Sequence, residues 1–365
     1  MGDTTAPAKV RQYPCKGCGA NFQFAPGTTS LKCPYCGFVE AIPQSEAQIK
    51  EHALEGAVLH QAKKPKGYGA AGRDVKCERC GAVSHLSSET LSAECAFCGA
   101  PLTVPQEAQE SDTIAPEAVL PFAVDKNAAT QKFRDWVKGR WFAPNTLKSM
   151  AALAKIQGVY RPFWTYDAYT TSWYNGERGD HYYEEESYTT MENGRSVRKT
   201  RRVQKTRWSW RSGVFSEFFD DVLVSASAHN DWATEYKLEA LKPYDASFLS
   251  GFVAERYTVG VDDGWKKAKE IIDGSLYHTA CHRIGGDEQR NVSVSTSYSG
   301  LSFKHVLLPL WIASYAYGQK TYRFQVNGQT GQVTGQRPYS FWKIFIFILS
   351  LAAIIGGIAF FASRH

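Results

Sequence analysis

A chain of 365 residues with 43% hydrophobic and 13% aromatic content can bury one sizeable core with smaller modules beside it, which excludes a disordered protein. Its 42 Lys and Arg against 36 Asp and Glu leave a net charge of +6, too close to balance over this length to imply a nucleic-acid partner by charge alone. The opening MGDTTAPAKVRQYPC has no apolar run after its basic residues, so no secretory signal is expected, and nine cysteines kept in a reducing compartment point to metal ligation rather than disulfides.

Eight of those cysteines form four C-x-x-C pairs, each followed by glycine: Cys15 and Cys18, Cys33 and Cys36, Cys77 and Cys80, Cys95 and Cys98. Fourteen residues separate Cys18 from Cys33 and fourteen separate Cys80 from Cys95, and a shift of 62 positions carries the first quartet onto the second. The pattern is a duplicated zinc ribbon, expected over 10–43 and 73–104. Each pair forms a tight turn that aims two thiolates at one ion, and Gly19, Gly37, Gly81 and Gly99 permit the backbone of that turn. Two turns close a tetrahedral four-sulphur site with no open position for chemistry, which suits one Zn2+ per ribbon. A redox dithiol would need a single motif opening a helix, whereas iron in a rubredoxin-like site has the same ligands and stays open as an alternative. A ribbon of about 30 residues is too short for a self-sufficient core, so metal binding is expected to supply folding energy on the order of 10 kcal/mol.

Between the ribbons, 44–72 is expected to be a helical and then flexible linker. Ser45 and Gln48 have capping-box spacing, and Ile49, Ala53, Leu54, Ala57 and Val58 follow at helical intervals. The G-x-G-x-x-G at Gly67, Gly69 and Gly72 is not a dinucleotide loop, because no strand precedes it and a cysteine turn follows it. The acidic, proline-containing stretch 105–116 is a second linker.

Residues 117–340 are expected to form an α+β domain with an antiparallel sheet. Val119–Phe122 reads as a strand, and Asp125 caps a helix with Phe133, Trp136 and Val137 on one face. Asn145 caps a second helix through Leu147, Met150, Leu153 and Ile156. Strand-rich sequence follows Gln157, with helices near 230–241 and 262–280 and strands at 289–297, 301–317 and 320–336. Arg195 to Arg211 holds eight basic residues, no acidic ones and two tryptophans, a composition that suits a nucleic-acid stripe. Asn193-Gly194, however, is a strong two-residue hairpin signal, and it sets partners whose numbers sum to 387: Glu186 faces Arg201, Glu185 faces Arg202 and Asp180 faces Arg207. An acidic strand then matches the basic one, leaving Arg195, Arg198 and Lys199 unmatched near the tip.

GGDEQR at Gly285–Arg290 lacks the aromatic fifth residue of a cyclase signature, and His278, Cys281 and His282 have no second ligand cluster, which makes Cys281 a core residue near a helix end. No phosphate-binding loop, zinc-protease motif or nucleophile elbow occurs, so no catalytic residue and no enzyme is expected. From Ile344 to Ala362, 19 residues carry no charge and span about 28 Å as a helix, enough to cross a bilayer. A transmembrane helix is therefore expected over 341–362, with Phe341 and Trp342 at the interface. Arg337 and Lys343 on its N-terminal side place the bulk of the chain in the cytoplasm, in a single-pass, tail-anchored topology at the inner membrane.

Together the ribbons, GRWFAPN at Gly139, FFDDVLV at Phe218, GGDEQR, FKHVLLPLW at Phe303, VNGQTG at Val326 and the final span resemble, over most of the chain, a bacterial family of membrane-anchored TFIIB-type zinc-ribbon proteins. Members are often labelled as similar to the primosomal replication-restart helicase; helicase activity does not carry over, because this chain has no phosphate-binding loop. The resemblance carries the eight cysteine ligands over residue by residue and implies a membrane anchor for soluble partners of the envelope-stress kind. The function expected first is therefore a zinc-binding, membrane-anchored scaffold that recruits cytoplasmic or membrane protein partners. The alternative is a nucleic-acid-binding protein at the membrane, against which residues 1–105 carry only 11 basic and 9 acidic residues.

Overall fold

The computed structural model describes residues 14–43, 48–54, 72–87, 93–97, 100–102, 114–145, 156–192, 195–227, 235–317 and 320–362. Its centre is a pair of very long antiparallel strands. Strand β10 (Gln157–Glu192) pairs with β11 (Arg195–Ser225), and from Glu192↔Arg195 to Ala168↔Phe219 every pair obeys the register that Asn193-Gly194 dictates. Residues 193–194 themselves lie outside the described residues. A bulge between Tyr166 and Ala168 shifts the register by one, so that Tyr166 faces Val222.

On its other edge β10 pairs with β14 (Glu288–Tyr317), from Gln157↔Ile312 to Gly179↔Glu288. The two strands expected at 289–297 and 301–317 are one strand with a kink at Gly300, whose φ of +60° accommodates the bulge opposite Tyr169. Beyond Gly179 the β10–β11 ribbon has no third strand among the described residues. Its facing charges pair there: Arg201 and Lys205 with Glu186, Lys205 with Glu184, and Lys199 with Glu192. Lys199 is therefore matched, contrary to expectation. Arg202 and Arg207 lie instead over the rings of Tyr183 and Tyr182, at 4.3 and 5.1 Å.

Short strands complete an 11-stranded sheet. β9 (Ala118–Val119) runs parallel to β14 at Val306–Leu307, and β12 (Lys242–Pro243) covers β9. β15 (Lys320–Asn327) and β16 (Val333–Gly335) extend the far end of β14 around the Asn327-Gly328 turn. β13 (Val253–Glu255) runs parallel to β10 at Val159–Tyr160, before β11 begins.

Among the described residues there are three α-helices. α1 (Lys126–Lys138) is capped by Asp125, whose Oδ1 accepts from the Ala128 amide at 2.8 Å, and it buries Ala129, Phe133 and Val137. α2 (Val261–Ile284) presents Val261, Gly264, Ala268, Ile272, Leu276, Ala280 and Ile284 to the sheet, a row spaced four apart after its first step. Ala168 and Phe215 meet Ile272, Leu276 and Ala280 under it. Gly285 and Gly286, both with positive φ, turn α2 into β14, which is the work GGDEQR does. α3 (Phe341–Ala362) closes the described chain.

Two expected helices are corrected. Residues 48–54 are extended: His52–Ala53 form β4 against Ser302–Phe303 of β14, while Ile49 and Leu54 pack into separate parts of the core. Spacing suited to a helix is overridden because the open edge of β14 satisfies this backbone, and a 2.5 Å contact between His52 Nε2 and Glu117 Oε1 holds it there. Ala57 and Val58, with Ser45, lie outside the described residues. Near 230–241 the described part contains only a 3-10 turn, Leu238–Ala240, because Lys242–Pro243 is drawn out to pair with β9. The helix expected after Asn145 falls on residues outside the described set.

Candidate metal centres

In the first module β1 (Gln23–Phe24) and β2 (Ser30–Lys32) between the cysteine turns and β3 (Val39–Ala41) after the second turn form a three-stranded sheet. The turns share one geometry. The Gly19 amide donates to Cys15 O at 2.8 Å, Gly37 to Cys33 O at 3.1 Å and Gly81 to Cys77 O at 2.7 Å, with glycine φ values of +77°, +75° and +78°. After each turn the chain returns to the leading cysteine: Cys15 donates to Ala20 O, Cys33 to Phe38 O, Cys77 to Ala82 O and Cys95 to Ala100 O, at 2.7–2.8 Å. The repeat seen in sequence is thus a repeat of backbone conformation.

The sulphurs converge. Sγ of Cys15 lies 3.4 Å from that of Cys36, and Sγ of Cys18 lies 3.5 Å from that of Cys33; all four fall within 4.8 Å of one another. A tetrahedral ion with metal–sulphur bonds of about 2.3 Å needs sulphurs about 3.8 Å apart, and a disulfide needs about 2.0 Å, so the site fits a metal and not a bridge. The Gly17 amide donates to Cys15 Sγ at 3.4 Å, a contact that stabilises thiolate. The backbone amide of Cys36, helped by that of Tyr35, holds the Cys33 thiol down to about 6 against the effect of burial. At Cys36 the amide of Phe38 favours the thiolate, but the sulphurs of Cys15, Cys18 and Cys33 together with burial push it up to about 12. Four thiolates this close need a cation to coexist.

The second module repeats the arrangement with β5 (Gly72–Lys76), β6 (Val83–Ser87), β7 (Ala93–Glu94) and β8 (Pro101–Leu102). Cys77, Cys80 and Cys95 converge, with 3.5 Å between the sulphurs of Cys80 and Cys95. Cys98 lies outside the described residues. Cys281 is half-buried on α2 and joins no cluster among the described residues, and His278 and His282 are exposed.

The modules are tied into the sheet, which local sequence pattern did not disclose. β6 pairs with β13 at Ala254↔His85, and the Arg256 amide donates to Val83 O. Arg256 Nε and His85 Nδ1 both contact Asp74 Oδ1, at 2.9 and 2.8 Å. Deeper, Arg161 Nε donates to Glu255 Oε2 at 3.0 Å and Ser227 Oγ to Glu255 Oε1 at 2.6 Å, while the Arg161 guanidinium lies 5.7 Å from the ring centre of Phe97 between the cysteines. The first module docks through Phe24, whose amide donates to Ser250 O and whose ring meets Phe248 at 5.3 Å.

A third cluster, Asp167, Asp220 and Asp221, sits at the bulge where two residues of β11, Asp220 and Asp221, stand opposite Asp167 of β10, and Asp221 has a φ of +53°. Its cation is a lysine: Lys304 Nζ lies 2.7 Å from Asp221 Oδ1. Burial holds the carboxyls of Asp167 and Asp220 above their ordinary range. A cavity of about 550 Å³ between the first module and the start of α1 is lined by Gln23, Asp125, Gln157, Phe252 and Trp311, and its carboxylate, Asp125, is occupied as the helix cap.

α3 has a 19-residue stretch, Phe341–Ala359, of mean hydropathy 2.2 with none of it buried, so it is long and apolar enough to cross a membrane.

The chain is similar to the uncharacterized protein YdjG of Bacillus subtilis (strain 168), with 28% identity over 353 residues that cover 94% of each protein. No protein-family model and no solved structure matches it.

Proposed function

We propose that this protein is a zinc-binding scaffold held at the cytoplasmic face of a membrane by α3, recruiting protein partners through its two cysteine modules. What supports this is that one chain carries two convergent cysteine clusters, the second seated on the central sheet through β6 and the first packed on the same core through Phe24, together with an exposed apolar helix. A closed four-sulphur site supplies folding energy and a rigid surface and leaves no position for a substrate. Zinc fits the tetrahedral, all-sulphur donor set and the one-electron inertness that a structural site needs. Thiolate ligation calls for a reducing compartment, and Arg337 before α3 and Lys343 in its first turn put the basic residues at its N-terminal end, both of which favour a cytoplasmic body.

Nothing among the described residues pairs a nucleophile with a base in a pocket, so the proposed role is non-enzymatic. A nucleic-acid role is the second choice. It draws on Arg195 and Arg198, which make no ion pair among the described residues, and on Trp210, 61% exposed on the same strand.

The test is affinity purification of the detergent-solubilised full chain, with and without nuclease, beside a Cys15→Ser/Cys33→Ser/Cys77→Ser/Cys95→Ser variant. A protein partner that survives nuclease and is lost from the variant supports recruitment by the modules. Nucleic acid that salt strips off would overturn it in favour of the second choice.

A further inference from the structure

The sequence GRWFAPN has no role in the metal centres or in the sheet. It follows α1 directly, and the structure places it against the base of α3. Arg140 donates its amide to Val137 O and Ala143 to Arg140 O, both at 3.1 Å, so the chain makes two successive turns there. The Ser340 amide, just before α3, donates to Phe142 O at 2.8 Å. Lys343 Nζ, within the first turn of α3, donates to Ala143 O and to Asn145 Oδ1, each at 2.8 Å. The rings of Trp141 and Phe142 meet Phe347 edge-on, with centroids 5.9 and 5.4 Å away.

We propose that the loop of residues 139–145 dips into the surface of the lipid bilayer beside α3, so that the protein holds the membrane by a loop as well as by a helix. This rests on the proposal that α3 spans a membrane. Phe347 lies six residues beyond Phe341, about 9 Å along the helix, and interfacial elements bury about 5–10 Å into a bilayer. Whatever depth Phe347 occupies, Trp141 and Phe142 share it.

Three features suit the loop to that depth. Trp141, Tyr339, Phe341 and Trp342 are each at least 60% exposed and ring the base of one helix, a composition and placement that membrane interfaces favour and water does not. The carbonyls of Arg140, Phe142 and Ala143 all have donors, so three acceptors of the irregular backbone are already paired where the loop leaves water. The ammonium of Lys343, which would otherwise sit bare on an apolar helix, is held by two oxygens of the loop. The lysine and the loop satisfy each other at a depth where neither would be stable alone. The bilayer rather than a soluble protein is the occupant because the aromatic face of the loop is continuous with the exposed apolar surface of α3.

The test uses the full chain in phosphatidylcholine vesicles that contain a photoactivatable acyl-chain diazirine lipid, with labelled residues located by mass spectrometry. Labelling at Trp141 and Phe142 is expected at the level of Phe347 and about tenfold above Tyr183 and Trp210, exposed aromatics on the sheet. Strong labelling of Phe347 with Trp141 and Phe142 no higher than Tyr183 would overturn the loop proposal and leave the span standing. Absence of label on Phe347 itself would overturn the span, and the loop with it. Lys343→Met is expected to lower labelling of the loop while leaving Phe347 unchanged; undiminished loop labelling would refute the role given to Lys343.

Discussion

Two glycines in α2 test how that helix is seated, because the same substitution should act with opposite signs. A Cβ built at Gly264 would lie 2.2 Å from Tyr166 Oη and 2.9 Å from Trp164 Cδ1, whereas one at Gly274 would meet nothing within 4 Å. Neither glycine has a positive φ, so alanine gains helix propensity of about 0.8–1 kcal/mol at both. At Gly274 that gain stands alone, and Gly274→Ala is expected to stabilise by about 0.5–1 kcal/mol. At Gly264 overpacking costs about 1–3 kcal/mol. The bond that Tyr166 Oη donates to Val261 O at 2.6 Å is displaced as well, for about another 1 kcal/mol. Gly264→Ala is thus expected to be net destabilising by about 1–3 kcal/mol. Urea unfolding of the full chain in detergent, followed by tryptophan fluorescence, measures both variants. Equal stabilisation by the two would refute the close approach of α2 to Trp164 and Tyr166.

Glu255→Ala removes the buried carboxylate that accepts from Arg161 Nε and should cost about 3–5 kcal/mol by the same unfolding assay, with the second cysteine module loosened as seen by amide exchange of β5 and β6. Burial lowers His305 to about 4 from an ordinary value of 6.5, so the unfolded chain takes up its proton first as pH falls. That contribution to stability is full above pH 6.5 and is lost on the way to pH 4, up to about 3 kcal/mol, and a His305→Gln variant should show a flatter profile over that window. Cys15→Ser and Cys95→Ser should each lower bound zinc by about one equivalent, measured by mass spectrometry of metals, while carbonate extraction still leaves both in the membrane fraction.

What could be read from the sequence was what neighbouring residues decide. Asn193-Gly194 set a register that holds for the whole arm, since no bulge intervenes before Ala168, and Asp125 announced α1 because an N-cap is a contact within four residues. The cysteine turns were legible for the same reason: each is closed by bonds among five or six residues. The segment 48–54 was not. Its apolar spacing suits a helix, but its partner is an edge of β14 some 250 residues away, and tertiary pairing outweighed local preference. The seating of the second module on β13, and the Arg161–Glu255 pair beneath it, join residues whose separation leaves no local signature. Within FFDDVLV, the adjacent Asp220 and Asp221 interrupt an otherwise apolar strand, and the bulge with its Lys304 partner is what that interruption signified.

The most direct measurement is the zinc content of the full chain in membranes stripped with alkaline carbonate and then extracted in detergent. About two zinc ions per chain in that fraction is the expected result, with the ribbons filled while α3 holds the protein in the bilayer. Protein released by carbonate, or retained with no zinc, would contradict a metal-built scaffold anchored by its C-terminal helix.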